Sequence, residues 1–182
     1  LDVSAIPTPQ KYEINQNGAG DFISIQSAIN QSFDDDTLIV FSGIYYENID
    51  LLGKALIIAS EYSISGDTSH ISSTIIDGQS NGSVITISNV NGSQIKLVGL
   101  TIRNGNAQYG GAIYSTNSNP TIGNSTIVYN QAEFHGGALS FSGGSNVEAL
   151  NSILYNNTPD QMYISDINDF LSISHSNIDA GI

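Results

Sequence analysis

The chain has 182 residues, of which 40% are hydrophobic, enough apolar side chain to fill the core of one domain. Four Lys and Arg residues stand against 17 Asp and Glu, and this net charge of −13 argues against nucleic acid or an anionic membrane as a partner. The lack of Cys excludes disulfides, Cys-ligated zinc and a thiol nucleophile, and no apolar run reaches the roughly 18 residues of a membrane span.

The first two predicted segments precede the main repeat. Residues 1–20 contain Pro and have little pattern, so they are predicted to form an N-terminal extension. Residues 21–36 are predicted to form a short capping helix and a turn, with Asp21 as the helix cap and an apolar stripe from Phe22 to Phe33. A helix at this position can cover unpaired strand edges at the open end of a β-structure.

An acidic turn closes this segment at Asp34, Asp35 and Asp36. Carboxylate oxygens are the ligands that Ca²⁺ prefers, so these residues are the candidate metal ligands and Ca²⁺ is the candidate cofactor. The alternative interpretation is a solvated acidic turn without a metal.

Residues 37–182 contain short alternating apolar runs separated by Gly, Asn or Pro, the pattern of strands and turns. The Gly-Gly-Ala motif at Gly110–Ala112 recurs at Gly136–Ala138, 26 positions later. Short strands that cannot bury an inner face alone become stable when successive coils stack. The repeat therefore predicts an all-β parallel β-helix of three strands per coil and about five to six coils, forming one domain.

A second marker of the repeat is formed by Asn104, Asn130 and Asn156, each of which follows a short apolar strand. Asn tolerates the left-handed backbone of a tight bend, and its amide can bond an Asn one coil away, so these residues are predicted to form a structural ladder. The residue two positions before each Asn is predicted to stack in the core at about 4.8 Å per coil. These core residues are Ile102, Val128 and Leu154.

Four segments carry a family pattern: Ser24–Ile29, Asp36–Val40, Gly43–Ile49 and Ile75–Gly78. They resemble the opening of the right-handed parallel β-helix proteins of the pectate lyase-like superfamily. The two Gly-Gly-Ala motifs are similar to the repeats of chlamydial polymorphic outer-membrane proteins and of bacterial surface β-helices. The resemblance implies a single-stranded, right-handed β-helix outside a bacterial cell, and it is specific for the fold more than for an activity.

An enzyme is one alternative that the resemblance implies. A lyase of this kind needs acidic residues that hold Ca²⁺ and an Arg or Lys that removes a proton beside the sugar carboxylate. Arg103 and Lys96 are the candidate catalytic bases, although either can also be a solvated surface charge. His70, His135 and His175 are scattered over predicted turns, and none has a carboxylate at a spacing that would orient it.

Aromatic residues recur on successive coils and supply a candidate binding surface, because sugar rings stack on exposed aromatic rings. The candidate carbohydrate-binding residues are Tyr109, Tyr114, Tyr129 and Tyr155. Alternatively these rings stack on one another, together with Phe134 and Tyr163, as a ladder that only stabilises the solenoid.

The carboxyl end is expected to present bare strand edges, because Leu171–Ser174 opens a coil that Gly181–Ile182 does not finish. Unpaired edges recruit other strands. The expected partner at this end is a second copy packed head to tail or a downstream domain.

Two functional hypotheses follow. The leading one is a non-catalytic extracellular or cell-surface domain with a structural or adhesive role, either as a self-associating subunit of an extracellular fibre or as a weak polysaccharide binder. The alternative is a polysaccharide-degrading, pectate lyase-like enzyme that uses Arg103 or Lys96.

Overall fold

The computed structural model describes residues 7–90 and 94–179. None of the helices in these two stretches is long and apolar enough to span a membrane. The helices are α1 (Ile25–Gln31), α2 (Tyr62–Ser65) and α3 (Ser69–Ser73). The strands, in chain order, are β1 (Lys11–Ile14), β2 (Thr37–Val40), β3 (Gly43–Tyr46), β4 (Ile49–Asp50), β5 (Ile57–Ser60), β6 (Thr74–Asp77), β7 (Ile85–Ser88), β8 (Ile95–Val98), β9 (Thr101–Arg103), β10 (Asn106–Tyr109), β11 (Ile113–Thr116), β12 (Pro120–Gly123), β13 (Thr126–Val128), β14 (Gln131–His135), β15 (Leu139–Ser142), β16 (Asn146–Leu150), β17 (Ile153–Tyr155), β18 (Met162–Ile164), β19 (Phe170–Ser174) and β20 (Asn177–Ile178).

The strands assemble into three parallel sheets that run along the axis of a solenoid. Sheet I has the order β1-β2-β5-β8-β12-β16-β19, sheet II the order β20-β17-β13-β9-β6-β3, and sheet III the order β18-β15-β11-β7-β4. From β2 to β18 each coil gives one strand to each sheet, β19 and β20 extend sheets I and II, and β10 pairs with β14 in a separate ribbon. The predicted all-β, right-handed parallel β-helix is thereby confirmed, with about 6 turns.

Apolar side chains stack along the axis inside the solenoid, where burying each one contributes roughly 1.5–3 kcal/mol. In sheet II the fully buried stack begins at Tyr45 and continues through Ile76, Ile102, Ile127 and Leu154. The prediction that Val128 belongs to this stack is wrong by one residue, since Val128 is half-buried and aligns with Arg103 and Tyr155. The coils differ in length: the step from Ile102 to Ile127 is 25 residues and the next step, to Leu154, is 27.

Helix α1 covers the amino end of the core, but it is shorter than the predicted helix from Asp21 to Phe33. Its N-cap is Ser24, whose Oγ accepts a hydrogen bond from the Ser27 N–H. The predicted cap Asp21 accepts a hydrogen bond from the Glu13 backbone instead, so it ties the preceding loop to β1. The residues that α1 buries are Ile25, Ala28 and Ile29.

Strand β1 lies inside the predicted N-terminal extension. It pairs in parallel with β2 over its whole length, so residues 11–14 belong to sheet I of the solenoid. Phe33, which was predicted to complete the apolar stripe, is 58% exposed because α1 ends at Gln31. Residues 1–6 of the extension and the predicted unfinished end at Gly181–Ile182 lie outside the described residues.

The Asn residues of the repeat occupy two kinds of position. Asn104 and Asn156 have left-handed φ values of 56° and 53°, and the equivalent bend between them is made by Tyr129, with a φ of 58°. Asn130 lies one position further along, is buried, and bonds to Asn157 of the next coil. The predicted ladder of Asn104, Asn130 and Asn156 is therefore wrong in register, and the Asn pair that forms is Asn130 with Asn157.

Candidate functional site

Two adjacent cavities form a groove on the outer face of sheet III, here called the aromatic groove. One has a volume of about 180 Å³ and the other about 390 Å³. They share Tyr109 and Tyr114 and therefore lie side by side. The other lining residues are Ser140, Ser142, Tyr163 and Ser165 in the first cavity, and Gly82, Ser83, Ala107 and Gln108 in the second.

The floor of the aromatic groove follows from the alternation of the strands in sheet III. Tyr114, Ser140 and Tyr163 are register partners on β11, β15 and β18. They face outward, because Ile113 and Leu139, which precede the first two along the chain, are buried in the core. Since neighbouring strands lie about 4.8 Å apart, the three side chains form a row along the solenoid axis.

The ribbon of β10 and β14 places a second set of rings beside this floor. The Tyr109 ring centroid lies 5.3 Å from that of Phe134 and 5.9 Å from that of Tyr163. His135 stacks on Tyr163 with a centroid distance of 4.4 Å and an interplanar angle of 12°. These separations fall in the range of favourable aromatic pairs. Part of the predicted aromatic ladder therefore forms here, and two of its rings, Tyr109 and Tyr163, also line the groove.

The repeated Gly-Gly motifs connect the ribbon to the floor. Gly110 and Gly136 have φ values of +62° and +71°, which L side chains rarely adopt, and they turn the chain from β10 and β14 towards β11 and β15. Gly111 leaves room for the neighbouring coils, because a Cβ there would lie 2.6 Å from the Gly137 carbonyl oxygen. The motif that reveals the repeat in the sequence thus also shapes the groove.

A His–carboxylate pair lies next to the groove, contrary to the prediction that no carboxylate orients a His. His135 Nδ1 is 2.9 Å from Oδ2 of Asp160, and the other Asp160 oxygen accepts a hydrogen bond from the Gly136 N–H. The sequence separation of His135 and Asp160 is 25 residues, or one coil. Stacking of coils therefore brings together side chains that look scattered in the sequence.

The two candidate catalytic bases lie outside the groove. Arg103 ends β9 in sheet II, where its Nε is 2.8 Å from Oδ2 of Asp77 on the preceding coil. The same Asp77 oxygen accepts a hydrogen bond from the Asn104 side chain. Lys96 lies on β8 in sheet I. The structure thus places the two bases on different sheets, and neither lines the aromatic groove.

The acidic turn makes hydrogen bonds with the backbone. Asp34 accepts one from the Ala55 N–H, and the buried Asp36 accepts two, from Gln10 and Phe33. Within residues 7–90 and 94–179, no group of three or more His, Asp or Glu side chains is arranged to hold a metal ion. The role that the structure assigns to this turn is structural, and Ca²⁺ binding there stays a prediction.

The four candidate carbohydrate-binding residues separate into two pairs. Tyr109 and Tyr114 line the groove, whereas Tyr129 and Tyr155 lie at the ends of sheet II strands and are 61% and 50% exposed. Tyr163, which recurs with these residues from coil to coil but is not one of the four candidates, also lines the groove. Recurrence from coil to coil was its only signal in the sequence, and recurrence does not say which face of a coil a ring occupies.

Comparison of the chain with protein-family models, curated proteins and solved structures finds no significant match. The structural class of the chain is therefore given by its fold alone, a right-handed parallel β-helix of stacked three-strand coils. Its distinguishing feature is an aromatic groove on sheet III whose lining residues are all uncharged.

Proposed function

We propose that this β-helix is a non-catalytic carbohydrate-binding domain that acts outside the cell, in adhesion or in a surface assembly. The observation that supports it is the aromatic groove, in which Tyr109, Tyr114 and Tyr163 surround a floor with Ser140 and Ser142 hydroxyls. Pyranose rings present apolar C–H faces and polar hydroxyl edges. A groove with aromatic faces and Ser hydroxyl groups matches both.

The positions of the candidate bases favour binding over catalysis. A lyase requires a base within hydrogen-bond reach of the proton that it removes. Arg103 forms an ion pair with Asp77 on sheet II, and Lys96 lies on sheet I, so a sugar in the groove on sheet III would be remote from both. Membership of the pectate lyase-like superfamily and bacterial origin remain part of the proposal, supported by the Gly-Gly-Ala repeats and the opening segments.

The proposal is tested by affinity electrophoresis and calorimetry with xylohexaose, cellohexaose, mannohexaose and methyl-esterified hexagalacturonate. The double variant Tyr114→Ala/Tyr163→Ala should bind at least about fivefold more weakly, since each of the two lost stacking contacts is worth about 0.5–1.5 kcal/mol. The matched control is Tyr129→Ala/Tyr155→Ala, which removes two exposed rings from sheet II and should bind as the unaltered chain does. Binding of none of these sugars, or equal loss in both double variants, would refute the proposal.

The lyase alternative has its own assay. The chain is incubated with polygalacturonate with and without Ca²⁺, and formation of the unsaturated product is followed by its ultraviolet absorbance. The proposal predicts no turnover above the buffer control. Turnover that disappears in Arg103→Met would replace the binding proposal with the enzyme hypothesis.

A further inference from the structure

We infer that the aromatic groove selects an uncharged, hydroxyl-rich glycan chain, lying along the solenoid axis, over a polyuronide. The inference rests on the proposed carbohydrate binding and names its ligand class. The uncharged lining of the groove and the location of the cations elsewhere favour a neutral ligand, and the length of the row of lining residues favours a chain of sugars.

The lining of the groove carries no formal charge. It consists of Tyr and Ser side chains with Gly82, Ala107 and the Gln108 amide. Such groups exchange hydrogen bonds with sugar hydroxyls at little electrostatic cost. A sugar carboxylate placed there would lose water without gaining a cation, which is costly in a partly enclosed site.

The cations of the chain are few and are held elsewhere. All four Lys and Arg residues of the sequence fall within the described residues, and none lines the groove. Lys54 donates its Nζ hydrogen bonds to the end of α1, at Ile29 and Asn30, and Arg103 pairs with Asp77.

His135 stacks on the groove residue Tyr163, and its imidazole is paired with Asp160. Because the Asp160 carboxylate lies beside this imidazole, the pair adds no net positive charge to the groove. With a net charge of −13, the protein as a whole also repels a polyanion. The negative charge of the protein therefore disfavours binding of uronates and has little effect on the binding of neutral sugars.

The groove is elongated along the axis. Its lining runs from Ser83, just before β7, through Tyr114 on β11 and Ser140 on β15 to Tyr163 on β18. Three steps between adjacent strands of about 4.8 Å give a row of about 14 Å. Because Tyr114 and Tyr163 are separated along this row, a chain of linked sugars can contact both rings and a single sugar cannot.

The test compares hexagalacturonate with the same oligosaccharide after full methyl esterification, by calorimetry at low and high ionic strength. Esterification removes the charge and keeps the ring hydroxyls and the chain length. We expect the ester to bind at least about tenfold more tightly than the free acid at low salt, and the difference to shrink as salt screens the repulsion. Monomeric methyl galacturonate should bind at least about tenfold more weakly than the esterified hexamer.

A charge variant checks that the selectivity comes from the groove. Ser165→Lys adds a cation at an exposed lining position. It should reduce the difference in affinity between the free acid and the ester, because the acid binds more tightly to the variant. The inference would be overturned if the unaltered chain bound the free acid more tightly than the ester, or if Ser165→Lys left the difference in affinity unchanged. Either result would leave carbohydrate binding intact. Absence of binding to every neutral oligosaccharide would instead refute the proposed function itself.

Discussion

Asn157 Oδ1 accepts two hydrogen bonds from Asn130 on the preceding coil, one from its backbone N–H at 3.0 Å and one from its side-chain amide at 2.9 Å. Asn130 Oδ1 in turn accepts a hydrogen bond from the Gly105 N–H one coil further back. Both Asn side chains are buried, so these bonds satisfy groups that water cannot reach. The pair thereby joins three successive coils at the bend after sheet II.

Replacement of Asn130 by Ala should lower the free energy of unfolding by about 1–3 kcal/mol, because it leaves the Gly105 N–H and Asn157 Oδ1 short of a partner in the interior. Urea unfolding followed by circular dichroism measures this. The control is Asn156→Gly: Asn156 is exposed with a positive φ, which Gly adopts freely, so stability should change by less than about 0.5 kcal/mol. Equal effects of the two changes would contradict the assignment of Asn130 and Asn157 as the stabilising pair.

Replacement of Gly111 by Ala should prevent or severely weaken folding. The added Cβ would lie 2.6 Å from the Gly137 carbonyl oxygen and closer still to that of Gln131, and backbone atoms cannot move aside cheaply. Gly123→Ala is the matched control, because a Cβ at Gly123 meets no atom within 4 Å. We expect Gly123→Ala to keep or slightly raise the melting temperature. A soluble Gly111→Ala protein with an unchanged melting temperature would be incompatible with the coil packing described.

Tyr45 should make stability depend on pH in the alkaline range. Burial, and secondarily the charge of Glu47, raises the pKa of Tyr45 to about 12 from an ordinary 10.0. Its hydroxyl is 3.1 Å from the Ile14 carbonyl oxygen and 3.0 Å from that of Phe41, to which only the neutral phenol can donate.

Because the pKa is higher in the folded state, the contribution of Tyr45 is complete below about pH 10 and is lost as the pH rises through about 12, a change of about 3 kcal/mol. The measurement is the difference in unfolding free energy between the unaltered chain and Tyr45→Phe, followed from pH 8 to 12. The titration of other groups affects both chains equally and cancels in this difference. A difference that stays constant over this range would contradict the prediction.

Arg103 should contribute to stability and not to sugar binding. Arg103→Met removes the ion-pair partner of Asp77, whose side chain is only 5% exposed, and should cost about 1–2 kcal/mol in unfolding free energy. Lys96→Met is the control, since Lys96 makes no ion pair among the described residues. Affinity for neutral oligosaccharides should be unchanged in both. A loss of affinity in Arg103→Met without a loss of stability would show that Arg103 belongs to the binding site.

The architecture was predictable because every coil must stack on its neighbours, so the same residue types are needed at equivalent positions of each coil. Gly110 and Gly136 recur at the same point of the repeat, and apolar residues alternate wherever a strand has one buried face. The exact register was not predictable from the average period. A coil of 25 residues is followed by one of 27, so Asn104 and Asn156 align while Asn130 does not. Ile127 and Val128 are both apolar and β-branched, and composition alone cannot decide which one faces the core.

The sequence predicted the chemical character of the candidate site, an aromatic surface, but identified only some of its residues. Recurrent Tyr residues indicated an aromatic surface, but Tyr155 ends β17 of sheet II and Tyr129 directly follows β13 of the same sheet, whereas Tyr114 and Tyr163 lie on sheet III. The pairing of His135 with Asp160 depends on the path of the loop after β17, which no local pattern specifies. Head-to-tail self-association stays a prediction that sedimentation of the purified chain can test.

Occupation of the aromatic groove by a neutral glycan can be observed residue by residue in an NMR titration. Methyl-esterified hexagalacturonate and xylohexaose are added in turn to the isotopically labelled chain while the Tyr ring resonances are followed. We expect the resonances of Tyr109, Tyr114 and Tyr163 to shift together in a saturable manner with at least one of the two sugars, and those of Tyr129 and Tyr155 to stay unchanged. Saturable shifts confined to Tyr129 and Tyr155, or no shifts at saturating sugar, would contradict it.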